Sequence, residues 1–193
     1  DTSMAMDRAM VNLKEEGYNP YYVVGGGHNL PGGTCFVDAI KELKKQCDEI
    51  NYKPDYIFLA SGTGSTQAGI VVGLDSVGWN DVKCVGISVA RQYERGKQVI
   101  AEFANMLAQH YGMQKDYTDS IIFNTDYLCG GYEKYTLEME ECLKKAMVET
   151  GLMFDTTYSG KGFYGMIKEI ERNKLYDKNI IFWHTGGIMN IMK

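Results

Sequence analysis

Residues 56–72 read YIFLASGTGSTQAGIVV and join three kinds of segment without interruption. The apolar run Tyr56–Ala60 follows Pro54 and is typical of a strand that is buried on both faces. Glycine is then interspersed with serine and threonine over residues 61–66, and a mostly apolar helical segment begins at Gln67. A buried strand, a glycine-rich turn and a helix in this order predict one βα unit of a parallel sheet.

The same alternation of strands and helices continues on both sides of this unit. Apolar runs that suit buried strands recur at 84–88, 121–123 and 180–183. Helices are predicted at 3–17, 35–50, 66–78, 93–111, 134–150 and 162–173, and a short apolar run occupies 21–24. The chain is therefore predicted to be an α/β protein with a mostly parallel sheet and helices on both faces.

Composition narrows the class of protein. With 193 residues, 45% hydrophobic and 23% charged, the chain can bury a sizeable core. The net charge of −5 argues against a nucleic-acid surface, and the longest apolar runs are too short to cross a membrane. No signal-peptide pattern opens the chain, so a soluble, cytoplasmic protein is expected. Five cysteines without CxxC spacing predict reduced, buried thiols, and no histidine pair has metal-ligand spacing.

The loop over residues 61–66 has the chemistry of a phosphate site. Its backbone N–H groups and hydroxyls stand at the start of a helix, whose dipole favours an anion. The loop is not a Walker A motif, because no Gly-Lys-[Ser/Thr] follows, and its third glycine is out of register for GxGxxG. Phosphate binding is predicted, with an ordinary βα turn without a ligand and a dinucleotide-binding domain as the alternatives.

Other glycine clusters fall after the predicted strands or between elements. They are Gly25–Gly27, Gly32–Gly33, Gly130–Gly131 and Gly186–Gly187. In a doubly wound sheet such loops converge on one crevice, so these glycines predict a lined cleft. Tyr132 and Tyr158 stand in loops beside it, and a phenol can stack on a planar cofactor or transfer a proton if its pKa is lowered. With 14 tyrosines in the chain, packing is the alternative explanation for any one of them.

Four segments keep a common order and spacing: residues 61–69 (SGTGSTQAG), 126–132, 157–161 (TYSGK) and 184–187 (HTGG). In these segments the chain resembles the D-cysteine desulfhydrase and 1-aminocyclopropane-1-carboxylate deaminase family of pyridoxal-phosphate enzymes, which have the tryptophan synthase β-like fold. The resemblance extends from the first helix to the final glycine pair.

The resemblance implies pyridoxal 5'-phosphate as the cofactor and a small amino acid as the substrate. It places the cofactor phosphate on Thr63, Gly64, Ser65 and Thr66, which the loop chemistry had indicated independently. Tyr132 and Tyr158 match the two active-site tyrosines of the family. Ser159 matches the position that faces the pyridine nitrogen, and Thr185 is expected next to it.

Ser159 also bears on the expected reaction. By the resemblance, the deaminases carry a glutamate there and the desulfhydrases carry a hydroxyl residue. A hydroxyl cannot hold the pyridine nitrogen protonated as a carboxylate can, which favours β-elimination over opening of a cyclopropane ring. The expected reaction converts D-cysteine to pyruvate, ammonia and hydrogen sulfide. The alternatives are a 1-aminocyclopropane-1-carboxylate deaminase or another amino-acid ammonia-lyase.

Two family features are not found in these residues, namely the Schiff-base lysine and the asparagine-containing loop, which lie upstream in the family. Lys161 aligns with a different family lysine and is expected to be structural or electrostatic. Residues 133–135 also differ from the usual glycine-containing turn. The resemblance implies that residues 1–193 are part of the large, phosphate-binding domain, incomplete at the amino end, in an enzyme that forms a homodimer. The other hypothesis is a non-catalytic module that binds a phosphate ligand alone or with a complementary chain.

Overall fold

The computed structural model of the chain describes residues 2–190. The six helices in this range are α1 (Thr2–Glu15), α2 (Leu30–Glu49), α3 (Ser65–Ser76), α4 (Tyr93–His110), α5 (Leu137–Thr150) and α6 (Ser159–Asn173). The four strands are β1 (Tyr56–Ser61), β2 (Lys83–Ser88), β3 (Ile122–Asn124) and β4 (Ile180–Trp183). None of the helices in residues 2–190 combines the length and apolar character that crossing a bilayer requires.

The four strands form one parallel sheet in the order β3-β2-β1-β4. Strand β1 lies in the interior and is in register with β2 from Tyr56 opposite Lys83 to Ser61 opposite Ser88. Because all strands run the same way, the loops that follow them leave from one edge of the sheet. The predicted parallel α/β architecture is therefore confirmed.

Helices cover both faces of this sheet. On one face, Ile57 and Leu59 of β1 pack with residues of α2 and α3 such as Ile40 and Ile70. On the other face, Phe58 packs with Met166 of α6. Successive residues of a strand point to opposite faces, so both sets are buried, as an apolar run predicts.

Gly162 allows α6 to lie directly on β1. A Cβ atom built on Gly162 would be 2.7 Å from the backbone nitrogen of Ala60, closer than real Cβ contacts come. Helix α6 runs antiparallel to the strands, so its first turn lies at the carboxyl edge of the sheet. This contact fixes the height of Tyr158 and Ser159 relative to the glycine-rich loop.

Two helices begin earlier than predicted, and both for a local reason. Helix α2 begins at Leu30 because the Asn29 side chain caps it, accepting a hydrogen bond from Gly32 N at 2.9 Å, and because Pro31 fits a first turn. Helix α6 begins at Ser159 because a buried carboxylate caps its first turn. The apolar run at 21–24 forms no strand. Of the cysteines, Cys47 and Cys84 are buried as predicted, whereas Cys35 is exposed.

Candidate active site

The glycine-rich loop ends in a helix terminus without a side-chain cap, which suits an anion. Gly64 precedes α3 with φ 96° and ψ −8°, a left-handed conformation that favours glycine, and no side chain of the described residues caps the helix. A Cβ on Gly64 would also lie 2.7 Å from Cγ1 of Ile100. The first N–H groups of α3 thus lack a side-chain partner at the positive end of the helix dipole.

Hydroxyl groups surround the same point. The buried Ser65 Oγ lies 3.1 Å from Nδ1 of His28 and 3.3 Å from Oγ1 of Thr63, and it donates to the Gly26 carbonyl at 3.3 Å. Ser61 Oγ, at the start of the loop, is buried without a hydrogen-bond partner among residues 2–190. An orphaned buried hydroxyl beside an uncapped helix terminus fits a phosphate group with several acceptor oxygens.

A cleft of about 720 Å³ opens beside the loop, and its lining includes Thr63, His28, Arg91 and Arg95. Arg91 Nε donates to the Gly62 carbonyl at 2.8 Å, which holds a guanidinium against the loop. Burial, and then the charge of Arg91, lower the pKa of His28, whose ring stacks on Phe103 at a centroid distance of 4.2 Å. Arg91, Arg95 and Glu102 carry the charge that lines this cleft, and the resulting positive balance favours an anionic ligand.

The two tyrosines expected at the site meet directly. The hydroxyl groups of Tyr132 and Tyr158 are hydrogen-bonded, and their rings are 5.9 Å apart between centroids at an interplanar angle of 70°. The hydrogen bond to Tyr132, followed by burial, raises the pKa of Tyr158 to about 12. Proton transfer by a phenolate would need a lowered pKa, so at neutral pH Tyr158 is protonated and is a hydrogen-bond donor rather than a base.

Asp155 organises the turn that carries Tyr158, and the sequence analysis missed it. Its carboxylate is 1% exposed. It accepts one long hydrogen bond from Asn190 Nδ2 at 3.5 Å and four shorter ones from residues 157–159. The donors of these four are Thr157 N at 3.0 Å, Tyr158 N at 2.8 Å, Ser159 N at 2.8 Å and Ser159 Oγ at 2.7 Å. Asp155 lies four residues before Ser159, the first residue of α6, so it is not at the N-cap position where a start signal is read from the sequence.

The two hydroxyl residues expected near the pyridine nitrogen differ in exposure. Ser159 is fully buried, and its hydroxyl donates to Asp155. Thr185 is exposed and follows β4 by two residues. A Cβ on Gly187 would lie 2.3 Å from Asp155 Oδ1, so the segment after β4 packs against the turn before α6. The structure therefore brings the loop of Thr185 to Asp155 while leaving its hydroxyl accessible.

His184 has a structural role in the same segment. Its Nε2 donates to the Met153 carbonyl at 2.9 Å, and its Nδ1 accepts from Gly186 N at 3.1 Å, which requires the neutral Nε2–H tautomer. Both ring nitrogens are occupied by backbone groups. Across residues 2–190, no group of three or more His, Cys, Asp or Glu side chains is placed to hold a metal ion.

The loop hydroxyls and the tyrosines are joined through the end of β2. Val89 N donates to the Ser61 carbonyl at 3.2 Å, and the Val89 carbonyl accepts from Lys161 Nζ at 3.3 Å. Lys161 Nζ also donates to the carbonyl of Gly131, the residue before Tyr132. The candidate phosphate loop and the tyrosine pair are thus parts of one connected site at the carboxyl edge of the sheet.

Replacing Tyr132 by phenylalanine should lower the pKa of Tyr158 from about 12 toward the ordinary tyrosine value of about 10, because the hydrogen bond that keeps its proton is lost. NMR titration of the labelled tyrosine ring carbons measures this directly. Tyr176→Phe removes an exposed phenol and is the matched control, for which no change in the Tyr158 titration is expected. An unchanged pKa in Tyr132→Phe would contradict the pairing of the two hydroxyls.

Comparison with known proteins places this site in a family. The family model described as "Pyridoxal-phosphate dependent enzyme" matches residues 1–186. The 1-aminocyclopropane-1-carboxylate deaminase of Ralstonia nicotianae is 31% identical over 188 residues, covering 94% of this chain and 54% of that protein. The corresponding deaminase of Burkholderia cenocepacia is 30% identical over 187 residues, with the same coverage of 94% and 54%.

A solved structure agrees with these relatives. The crystal structure of an ACC deaminase homologue superposes with a TM-score of 0.83 and 31% identity, over 96% of this chain and 55% of that one. The chain spans about half the length of the curated relatives it matches. The resemblance found in the sequence is confirmed, as is pyridoxal phosphate as the cofactor of the family. This chain belongs to the pyridoxal-phosphate dependent enzyme family.

Proposed function

We propose that the protein carrying this chain is a pyridoxal-phosphate dependent lyase that releases ammonia from a small amino acid, with D-cysteine as the first candidate substrate. The observation that carries the proposal is the uncapped terminus of α3 behind a hydroxyl-rich loop, facing the same sheet edge as the tyrosine pair. The hydroxyl at Ser159 favours β-elimination. The names of the relatives favour 1-aminocyclopropane-1-carboxylate as the second candidate substrate.

In this proposal residues 1–193 belong to the phosphate-binding domain, and the lysine that bonds the cofactor lies outside them. The cofactor phosphate would be held by the N–H groups and hydroxyls of Thr63, Gly64, Ser65 and Thr66. The buried, unpaired hydroxyl of Ser61 is a further donor at the same point. Arg91, next to the Gly62 carbonyl, adds positive charge nearby.

At the pyridine end, Thr185 and Ser159 have different proposed roles. Thr185 is accessible and would contact the ring nitrogen. Ser159 would act mainly through packing and its hydrogen bond to Asp155, because its hydroxyl proton is already donated. Neither residue is a carboxylate, so neither would hold the ring nitrogen protonated. The cofactor ring is then a weaker electron sink, which β-elimination tolerates.

When bound, pyridoxal phosphate supplies the electron sink that stabilises the carbanion left by removal of the α-proton. The chain itself would supply proton handling through Tyr132 and Tyr158. Tyr158 remains protonated at neutral pH, so it can donate a proton or a hydrogen bond to the departing β-substituent. Tyr132 keeps that proton in place until it is transferred.

Ammonia release from D-cysteine and from 1-aminocyclopropane-1-carboxylate, measured side by side on the purified gene product with pyridoxal phosphate, tests the reaction. Release of pyruvate and sulfide with D-cysteine is the expected result. No ammonia from either substrate, together with no visible absorbance of a bound cofactor, would leave the non-catalytic module as the better account. Borohydride trapping followed by peptide mapping should label no lysine of residues 1–193, Lys161 included.

Ser65→Ala should weaken the binding of pyridoxal phosphate by about 10- to 150-fold, because a hydrogen bond to a charged group contributes about 1.5–3 kcal/mol. Ser76→Ala is the matched control, since Ser76 lies at the other end of α3 and donates only to the Gly73 carbonyl at 2.7 Å. Equilibrium titration of the cofactor with each variant compares the two. Equal affinities would place the phosphate away from this loop.

The homodimer remains a prediction of the resemblance, and the cytoplasmic location remains a prediction of the sequence pattern. A complementary chain or segment that supplies the lysine is part of the same proposal. Mass measurement of the native gene product would determine the number of subunits.

A further inference from the structure

Two charged side chains are buried to 1% exposure or less among the described residues, and both lie at the start of α6. They are Asp155, which caps the helix, and Lys161 in its first turn. Lys161 Nζ donates to the Val89 carbonyl at 3.3 Å and to the Gly131 carbonyl. Both acceptors are neutral backbone groups in other segments. The lysine therefore joins α6 to the end of β2 and to the turn that precedes Tyr132.

Two glycines leave the backbone of that turn with few side-chain contacts. Gly130 and Gly131 have φ values of 91° and 128°, and a Cβ on Gly131 would meet no described atom within 4 Å. Tyr132 itself is 50% exposed. The Gly131 carbonyl accepts from Lys134 N at 3.2 Å, a contact within the turn, so Lys161 provides the connection from this carbonyl to the sheet. A turn with few packing contacts samples other conformations unless a specific bond fixes it.

We propose that Lys161 is a positioning residue, whose buried ammonium group fixes the Gly131 carbonyl and thereby holds the Tyr132 hydroxyl against Tyr158. The inference rests on the proposed function in one respect, that the two tyrosines handle protons. Lys161 does not contact the reacting atoms in this proposal. It acts through the backbone of the residue next to Tyr132.

The hydrogen bond from Lys161 Nζ to the Val89 carbonyl connects the tyrosine turn to the phosphate loop. Val89 lies against the phosphate loop, because its N–H donates to the Ser61 carbonyl and its Cγ2 would lie 3.3 Å from a Cβ on Gly62. One ammonium group thus links the tyrosine turn to the candidate cofactor loop. Asp155 fixes the other tyrosine through the Tyr158 N–H at 2.8 Å. The separation between the phosphate end of the site and its phenols is set by these two buried charges.

Lys161→Met tests the proposal because methionine has a similar length and apolar stem but no donor. In the gene product that carries this sequence, the Tyr158 pKa is expected to fall from about 12 by about one unit or more toward the ordinary value of about 10. Chymotryptic cleavage after Tyr132 is expected to become at least about tenfold faster. Lys168→Met is the matched control on the same helix, since Lys168 is paired with Glu138 at 2.6 Å and does not contact the turn.

A role in stability alone would lower the melting temperature of Lys161→Met but leave the Tyr158 titration and the cleavage rate of the folded protein unchanged, and that result would overturn the proposal. If Lys161→Met does not fold, Lys161→Gln, which retains one donor group, takes its place. If neither folds, amide exchange of the wild-type turn decides. Exchange of residues 130–134 as slow as that of the first turn of α6 supports the proposal, and exchange more than about tenfold faster contradicts it.

Measurement of turnover is an independent test of the role of Lys161. If the wild type turns over either candidate substrate, Lys161→Met is expected to lose about 100-fold in kcat while its affinity for pyridoxal phosphate changes by less than about threefold. An unchanged kcat with a weakened cofactor affinity would contradict positioning of the tyrosines. If the wild type shows no turnover, the proposed function fails, whereas the titration and cleavage results still decide the role of Lys161.

Discussion

Gly162→Ala is expected to lower the free energy of unfolding by about 2 kcal/mol or more, because the added methyl group forces α6 away from β1. The new Cβ would be 2.7 Å from Ala60 N and 3.1 Å from Ala60 Cα, and backbone atoms of an interior strand cannot move aside. Exchange of glycine for alanine inside an unconstrained helix instead stabilises by about 1 kcal/mol. The sign of the change, measured by urea unfolding, therefore separates packing from helix propensity.

Two further glycine variants are comparisons for the loss of stability in Gly162→Ala. Gly25→Ala meets no described atom within 4 Å and has no positive φ, so its stability should lie within about 0.5 kcal/mol of wild type. Gly165→Ala is an intermediate case, since its Cβ would meet the Ile87 side chain at 2.8 Å, and side-chain ends can shift. A stabilised Gly162→Ala would show that α6 does not lie this close to β1.

The same substitution should also damage the site, because α6 carries Tyr158, Ser159 and Lys161. A small outward shift of the helix moves all three relative to the loop after β1. Shifts of about 1 Å at catalytic groups reduce rates by about 100-fold. Folded Gly162→Ala protein is therefore expected to lose a larger fraction of its turnover rate than of its free energy of unfolding. Gly165→Ala is expected to lose less of both.

Asp155→Ala is the second substitution with a large expected effect, about 3 kcal/mol of unfolding free energy or more. Its removal leaves three backbone N–H groups in a buried turn without their acceptor and leaves the Lys161 ammonium without the buried carboxylate of its own turn. Thermal and urea unfolding of the variant measure the loss. Asp155→Asn keeps the shape and one acceptor oxygen, so its free energy of unfolding should lie between those of Asp155→Ala and wild type.

Thr136→Ala is the control for an ordinary helix cap. Thr136 Oγ1 accepts a single hydrogen bond, from Met139 N at 3.2 Å, at the exposed start of α5. Its loss should cost about 1 kcal/mol, as is usual for such caps. Equal losses in Thr136→Ala and Asp155→Ala would mean that Asp155 is a cap and nothing more. A larger loss in Asp155→Ala, with a shifted Tyr158 titration, would identify it as the anchor of the tyrosine turn.

Much of the architecture was predictable from the sequence because its causes are local. The apolar runs at 56–60 and 84–88 are typical of strands buried on both faces, which indicates a parallel sheet covered by helices. The apolar run at 180–183 instead forms a half-buried edge strand. The helix boundaries were less accurate. The starts of α2 and α6 depend on the side chains of Asn29 and Asp155, and Asp155 lies outside the N-cap position at which such signals are read.

The candidate phosphate loop could likewise be predicted from its residues. Glycine with hydroxyl residues between a strand and a helix determines an uncapped terminus and its polarity, whatever the rest of the chain does. The roles of Tyr132 and Tyr158 came from family resemblance, since neither their spacing nor their abundance distinguishes them. The sequence alone also predicted that a useful phenol would have a lowered pKa, whereas burial and pairing raise that of Tyr158.

The sequence by itself therefore determined the layered α/β fold and the hydroxyl-rich loop that we propose binds an anion, because short-range patterns of apolar residues, glycine and hydroxyls cause both. Only the tertiary structure decided how the site is assembled. Tyr132 and Tyr158 are 26 residues apart, and Lys161 bonds to carbonyls 30 and 72 residues away. Such contacts depend on where the folded sheet brings distant loops, and a buried charge satisfied by backbone carbonyls leaves no periodic signal in the chain.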